Sequence, residues 1–250
     1  MNYKIIADYH IHCNLVDRNF LLHAKGTIKE NAIVAMKNGL KEIAITDHGT
    51  AHFLLGMKKE SYSEMRRIID EINQEYVSGL RDFRVLLGVE ANIINSKGEI
   101  DIDDEIIQHL DLISVGYHPG ASKLDAKFNY TQAAIKAMEK YDIAILHHPR
   151  YGVNPNIIEI GKVARKTNTA IELNEKHSKK DKESLRVDEV RLLKKLGVKF
   201  SLGSDSHIPG KVGKFNRTLA LAIRAGLTND DILNARGQAH NNLKLLNRGV

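Results

Sequence analysis

Seven short segments of this 250-residue chain place histidine, carboxylate or amide side chains at spacings that could do chemistry. They are His10-Ile-His12, Asp47-His48, Glu90, His118, His147-His148, Asn174 and Asp205-Ser-His207. Side chains two apart on an extended backbone point the same way, so His10 and His12 can act as a pair, as can Asp205 and His207. Imidazole with carboxylate is the ligand set of zinc, iron and manganese. A carboxylate such as Glu90 can bridge two cations, which imidazole does not easily do. Imidazoles crowded into one volume repel when protonated, so a shared cation explains them better than hydrogen bonding. A single histidine is more often an ordinary core or surface imidazole, and His52, His109, His177 and His240 are read that way. Glu90 alone would fit a salt bridge and Asp205 alone a helix N-cap; jointly, the set indicates metal.

These residues need elements that bring them to one place. Apolar runs recur at Ile5–Ala7, Ile43–Ile45, Val85–Leu87, Leu112–Val115, Ile143–Leu146, Ala170–Leu173 and Val198–Leu202. Runs this short, apolar on both faces, read as buried parallel strands. The polar residues above follow them one strand at a time. Helical patterns lie between: Thr27-Ile-Lys-Glu30 and Ser61-Tyr-Ser-Glu64 both fit a capping box at a helix start. Gly39 and Gly197 read as helix stops before the next strand. Seven such βα units predict an α/β fold with a barrel-like parallel sheet, its strand C-termini sharing one rim. The ionisable residues would sit on that rim.

Composition is that of an ordinary globular chain. Hydrophobic residues make up 42% of the chain and charged ones 27%, with 18 Gly and 4 Pro, which excludes collagen, disorder and a disulfide mini-fold. Without a linker-like tract, residues 1–250 are expected to form one domain. No apolar run is long enough to span a membrane, the N-terminus lacks a signal-peptide pattern, and Cys13 is the lone cysteine, so a cytoplasmic protein is expected. The net charge is +6. Residues 159–217 hold 15 Lys plus Arg against 8 Asp plus Glu, leaving the rest of the chain near neutral. This basic stretch does not alternate with aromatics as a single-strand binding groove would.

Taken in order, His10-Ile-His12, Ile45-Thr-Asp-His48-Gly49, Gly88-Val-Glu90-Ala-Asn92, Gly116-Tyr-His118, His148-Pro149 and Leu202-Gly-Ser-Asp205-Ser-His207 resemble the motifs of the PHP (polymerase and histidinol phosphatase) family. The wording is most similar to its small stand-alone phosphatase branch. The resemblance covers the chain from about Asp8 to His207 and implies a distorted seven-stranded (βα)7 TIM-like barrel holding up to three divalent metals. Zinc is the first expectation, with manganese or iron as alternatives. By position, His10, His12, Glu90 and Asp205 resemble the ligands of one metal, and His23, His48 and His207 those of a second. Glu90 again, with His118 and His148, resembles the third set. Only one of His147 and His148 is expected to share a face with Ala144 and Leu146, and the family's His-Pro selects His148.

The resemblance implies phosphate monoester hydrolysis by a metal-bridged hydroxide, with Glu90, Asp205 and His207 at the reaction centre. Paired metals suit such chemistry because they activate water and clamp the attacking and leaving oxygens. Lys25, Arg150 and Lys211 are candidates for binding the substrate phosphate. The expected partner is a small phosphorylated molecule. A nuclease or nucleic-acid end-processing enzyme is the first alternative, though nucleic acid is not the favoured partner. A non-catalytic, metal-stabilised docking module is the second. The helix expected over Phe215–Ala225 and the start at Thr228-Asn-Asp-Asp231 are read as closing the far side of the barrel.

Overall fold

Each apolar run becomes a strand of one parallel sheet. In the computed structural model, which describes residues 3–14, 23–79, 82–121, 128–179, 184–235 and 243–246, the strands are β1 (Ala7–Ile11), β2 (Glu42–Ile45), β3 (Arg84–Asn92), β4 (Leu112–Gly116), β5 (Ile143–Leu146), β6 (Ala170–Asn174) and β7 (Phe200–Gly203). Spatial order follows sequence order from β1 to β7, the arrangement that right-handed crossovers between neighbouring strands produce. Six pairings are parallel. Three strands reach past expectation to a polar residue: β1 lies later, β3 runs on through Asn92 and β6 takes in Asn174. In each, a polar residue read as following the strand, His10, Glu90 or Asn174, belongs to it because it occupies the face turned into the barrel, while His12 lies just past β1.

The strands are staggered. β3 pairs with β2 through Arg84–Leu87 and with β4 through Gly88–Asn92, the slant that curls a sheet toward closure. The seam between β1 and β7 is joined at its two ends. At the upper end His12 N–H donates to Ser206 O at 2.9 Å and Ser206 N–H to His10 O at 3.3 Å. At the lower end Ile6 N–H donates to Asn234 O at 3.0 Å, and the Asn234 amide bonds Ala7 O and Leu202 O, each at 2.8 Å. The result is a nearly closed seven-stranded barrel whose lower edge is sealed by residues 232–235, just past the segments 215–225 and 228–231 expected to close it.

Helices α1 (Ile28–Lys37), α2 (Lys59–Ser78), α3 (Asp104–Ile107), α4 (Tyr130–Lys140), α5 (Ile157–Thr167), α6 (Val187–Lys195) and α7 (Asn216–Ala225) connect the strands. The Thr27/Glu30 capping box starts α1, with Glu30 N–H donating to Thr27 Oγ1 at 3.2 Å and Thr27 N–H to Glu30 Oε2 at 2.7 Å. The expected start of α2 at Ser61 is wrong. Ser61 already lies in the first turn, its N–H donating to Lys58 O at 3.1 Å, and the helix begins two residues sooner. Gly39 and Gly197 adopt positive φ, 79° and 77°, as the left-handed residue after a helix requires.

Two apolar clusters follow from strand alternation. The larger lies between sheet and helices and takes Ile43, Ile45, Leu87, Val89, Ile113, Val115, Ile171 and Leu202 from the strands. The smaller takes the opposite faces, including Ala7, Tyr9, Ala44, Leu86, Leu112, Ala144 and Ala170, with Leu233. It fills the lower part of the barrel. Above it the same strand faces turn polar. Among the described residues no helix is long and apolar enough to cross a membrane.

Candidate metal centre

Two local irregularities put more side chains into the upper barrel than strict alternation would. The β1–β2 register shifts between Asp8 and Ile11, so that Tyr9 packs in the lower cluster while the next residue, His10, reaches the upper site. The β4–β5 register shifts in the same way between Ile113 and Ser114. Ala144 and Ile145 both enter the inner cluster, Leu146 turns outward, and His147 turns back in. His148 then adopts a left-handed backbone, φ 22°, as does Asp205 at 49°. Non-glycine residues in this region are strained, and such strain gathers at functional sites.

Glu90 is the hub. Its Oε1 lies 2.6 Å from His148 Nε2, 3.3 Å from His147 Nδ1, 3.4 Å from His10 Nε2 and 3.5 Å from His118 Nε2. Its Oε2 lies 3.1 Å from His48 Nδ1 and 3.6 Å from His12 Nε2. Asp205 forms a second focus: its Oδ1 is 3.2 Å from His207 Nε2 and 3.6 Å from His12 Nε2, and its Oδ2 is 3.5 Å from His177 Nε2. Ring nitrogens approach one another closely, with His12 Nε2 3.2 Å from His10 Nε2 and His48 Nε2 3.1 Å from His23 Nε2. A pocket of about 270 Å³ opens above them.

The imidazoles are aimed by a further layer of polar groups. Glu172 Oε1 lies 2.7 Å from His10 Nδ1 and Asn92 Oδ1 2.7 Å from His118 Nδ1, while Asp47 Oδ1 stands 3.5 Å from a His12 Nδ1 that makes no hydrogen bond. Asn92 is itself fixed by Asp101, whose carboxylate accepts its backbone and side-chain N–H groups. Glu172 also accepts the His148 N–H at 2.7 Å and the Asn174 amide at 3.0 Å. A Cβ on Gly203 would fall 1.9 Å from Glu172 Oε1, so only glycine lets the carboxylate pass there. Partners of this kind set which ring nitrogen faces a metal and raise its basicity.

Electrostatics prepares the donors for a cation. Burial opposes the charge of Glu90, yet His118, His10, His148 and His48 hold its carboxyl well below the usual range. Burial likewise opposes Asp205, and His10 with hydrogen bonds from His177 and His207 outweighs it. Burial pushes His12, His23, His118, His147 and His207 down, His23 to about 2, with neighbouring imidazoles adding to it at His12 and His23. His10 goes the other way: burial opposes its proton, but Glu172, Glu90 and Asp205 raise it well above the ordinary value. Ionised carboxylates and neutral imidazoles are the forms that ligate metal.

A sequence profile of the PHP domain matches residues 8–182. The chain belongs to the PHP domain family. It is 30% identical to a probable phosphatase of Shewanella sediminis over 94% of this chain and 92% of that one. It is 31% identical to a probable phosphatase of Acetivibrio thermocellus over 92% and 91%. A histidinol phosphate phosphatase of Lactococcus lactis, solved with zinc, L-histidinol and phosphate, superposes with a TM-score of 0.58 at 19% identity, covering 90% of this chain and 95% of that one. At that identity the likeness is one of fold.

The PHP chain's donors fit divalent metal. Donor atoms come within 4.8 Å of one another in five trios among the described residues: His12, His23 and His48; His10, Glu90 and His147; His10, His12 and Asp205; His48, Glu90 and His118; and His148, His177 and Asp205. Buried Glu90 Oε2, His147 Nε2, His148 Nδ1 and His207 Nδ1 make no hydrogen bond, and buried polar atoms are rarely left so without a reason.

All nine residues proposed as ligands from the PHP motifs gather in this volume, but their grouping differs from expectation. His23 and His48 share a trio with His12, while His207 reaches Asp205 and packs its ring 4.2 Å from that of His23. The expectation that only one of His147 and His148 faces the site is corrected: both reach Glu90, because the β5 irregularity and the left-handed His148 break the alternation. His52 and His177, read as ordinary imidazoles, line the pocket. His109 stays apart from it, and His240 lies outside the described residues.

Of the three phosphate-binding candidates, none lines the metal pocket. Arg150 is tied to Glu189 and to Asn154. Lys25 is exposed, its backbone N–H donating to His207 O at 2.7 Å. Lys211 lines an adjoining cavity. The cation at the pocket is Lys176, 3.2 Å from Asp205 Oδ1 and donating to His207 Nε2. Sequence reasoning missed Lys176, His177 and Glu172. A glutamate inside the apolar β6 run, two residues before Asn174 and so on the same face, was the available signal.

Proposed function

We propose that this chain hydrolyses phosphate monoesters of small molecules at a cluster of up to three divalent cations, with zinc, manganese or iron as the metal. The observation that carries this reading is Glu90, a fully buried carboxylate ringed by six imidazoles with one oxygen left unbonded. His10, His12 and Asp205 would hold one cation, with His207 beside Asp205; His23 and His48 would hold a second, and Glu90 with His118 and His148 a third. His147 and His177 are close enough to join these sets. Bound divalent cations supply an activated water and positive charge against the phosphoryl oxygens.

The chain's own residues do the rest. Glu172 and Asn92 hold the His10 and His118 imidazoles in place, so that little reorganisation is needed when substrate arrives. Glu90, Asp205 and His207 lie at the reaction centre. Lys176 presents its ammonium at the pocket edge, where it can bind a phosphoryl oxygen by a charge-assisted hydrogen bond. Tyr151 and Leu55 wall the pocket and restrict water around the reacting group.

Metal analysis of the purified protein, combined with a screen over p-nitrophenyl phosphate, sugar phosphates, nucleotides and oligonucleotide ends, tests the reading. Stoichiometric divalent metal and turnover of small monoesters are expected. No bound metal and no turnover under any metal supplement would overturn it in favour of a non-catalytic docking module.

A further inference from the structure

A second cavity, of about 590 Å³, adjoins the metal pocket and shares Lys176, Asp205 and His207 with it. Its outer wall carries Lys211, Lys214 and Arg217. Four cationic side chains therefore surround a space that opens directly onto the proposed reaction centre. The carboxylates there are already engaged. Asp205 faces imidazoles, and Glu175 accepts the N–H groups of Arg217 at 2.9 Å and Thr218 at 3.0 Å, together with the Thr218 hydroxyl at 3.2 Å. Glu175 thus caps α7 and also lies 3.5 Å from the Arg217 guanidinium. Lys211 and Lys214 are exposed, and among the described residues neither makes an ion pair.

The wall bearing these lysines is held in place by buried groups. Asp8, fully buried beneath it, accepts Gly213 N–H at 2.9 Å and Ser204 N–H at 3.2 Å. The single turn Pro209–Lys211 is closed by Lys211 N–H to Ile208 O at 2.9 Å, and the Ser206 hydroxyl donates to the same carbonyl at 2.6 Å. A fixed cationic wall loses less entropy on binding an anion than lysines on a loose loop would.

We propose that this annex binds a second phosphate of the substrate, so that the preferred substrates are small bisphosphorylated molecules. The proposal rests on the phosphatase reading above and assigns it a substrate class. One ester is hydrolysed over the metal pocket: water forms a new P–O bond, the P–O bond to the alcohol breaks, and the alcohol leaves with a proton from that water. The other phosphate stays intact against Lys211, Lys214 and Arg217, with Lys176 at the junction. Lys211 thereby belongs to the distal phosphate rather than to the scissile one. A single-stranded nucleic acid fits less well, because no Phe, Tyr or Trp among the described residues lines this cavity or the next one along, which shares Arg217.

The test compares kcat and KM for the mono- and bisphosphates of fructose, glucose and ribulose, with p-nitrophenyl phosphate as the single-phosphate reference. For at least one pair the bisphosphate should be favoured by about 10-fold in kcat/KM, mainly through KM, as a charge-assisted contact supplies. In Lys211→Ala/Lys214→Ala that preference should fall toward unity, and Lys211→Arg/Lys214→Arg should retain it. Equal use of every pair by the wild type, or a preference that survives the double alanine variant, would overturn the proposal. Faster removal of a terminal phosphate from an oligonucleotide than from any bisphosphate would overturn it in favour of a nucleic-acid substrate. If even p-nitrophenyl phosphate is untouched, the phosphatase reading itself fails and the proposal falls with it.

Discussion

Two buried glutamates at opposite ends of the barrel, Glu42 and Glu90, have opposite fates. Glu42, at the start of β2, accepts the Tyr9 hydroxyl at 2.8 Å and the Arg84 guanidinium at 2.8 and 2.6 Å. The chain supplies everything that carboxylate needs. Glu90, near the end of β3, meets six imidazoles and, among the described residues, no arginine or lysine, and its Oε2 makes no hydrogen bond there. Desolvating a carboxylate without full compensation is costly, so the upper end tolerates what the lower end avoids. The difference separates a site that is finished by its own side chains from one built to be finished by a cation.

Substitutions at the two ends should therefore fail in different ways. The largest expected effect is at Glu90: Glu90→Ala should lower phosphatase kcat/KM by at least 100-fold and reduce bound metal, measured together by steady-state kinetics and metal analysis. Full activity with full metal content would refute the hub. His148→Ala should cost more activity than His147→Ala, since His148 lies at 2.6 Å from Glu90 and lines the pocket while His147 is packed behind it against His10. Equal losses would remove that distinction.

Next in size, Glu172→Gln should weaken metal binding by about 10- to 100-fold, the usual consequence of disturbing a group behind a ligand. Competition with a chromogenic chelator reads this directly, and unchanged affinity would mean that Glu172 does not orient His10. At the lower end, Asn234→Ala should destabilise the fold by about 2 kcal/mol, because it removes the amide bonds to Ala7 and Leu202, and should leave metal stoichiometry intact. Denaturant unfolding beside metal analysis checks both halves. Glu42→Gln should have the smallest effect, about 1 kcal/mol, since Arg84 is partly solvated and can pair with water instead. A loss of metal in either lower-end variant would break the comparison.

Much of this division is written in the chain. The seven apolar runs locate the strands, and polar residues at their C-terminal ends locate the rim, because a barrel interior is packed below and open above. What the pattern does not reveal comes from departures from it. A register shift within β5 and a left-handed His148 turn both histidines toward Glu90, and no two-residue period anticipates that. His177 and Lys176 reach the site from the turn after β6, where no regular spacing fixes side-chain direction. The grouping of ligands is equally hidden, since which imidazole lies near which carboxylate depends on barrel curvature.

The seam between β1 and β7 also sets an order of events during synthesis. Asn234 lies 227 residues beyond the Ala7 carbonyl it bonds, and translation at about 5 to 20 residues per second takes roughly 10 to 45 s to cover that interval. Until Ser206 and Asn234 emerge, the free edge of β1 is an unpaired strand edge, open to wrong partners. His10 and His12 are made early and Asp205 late, so the nascent chain offers only part of its donor set to passing cations. A complete donor set exists only once the barrel has closed.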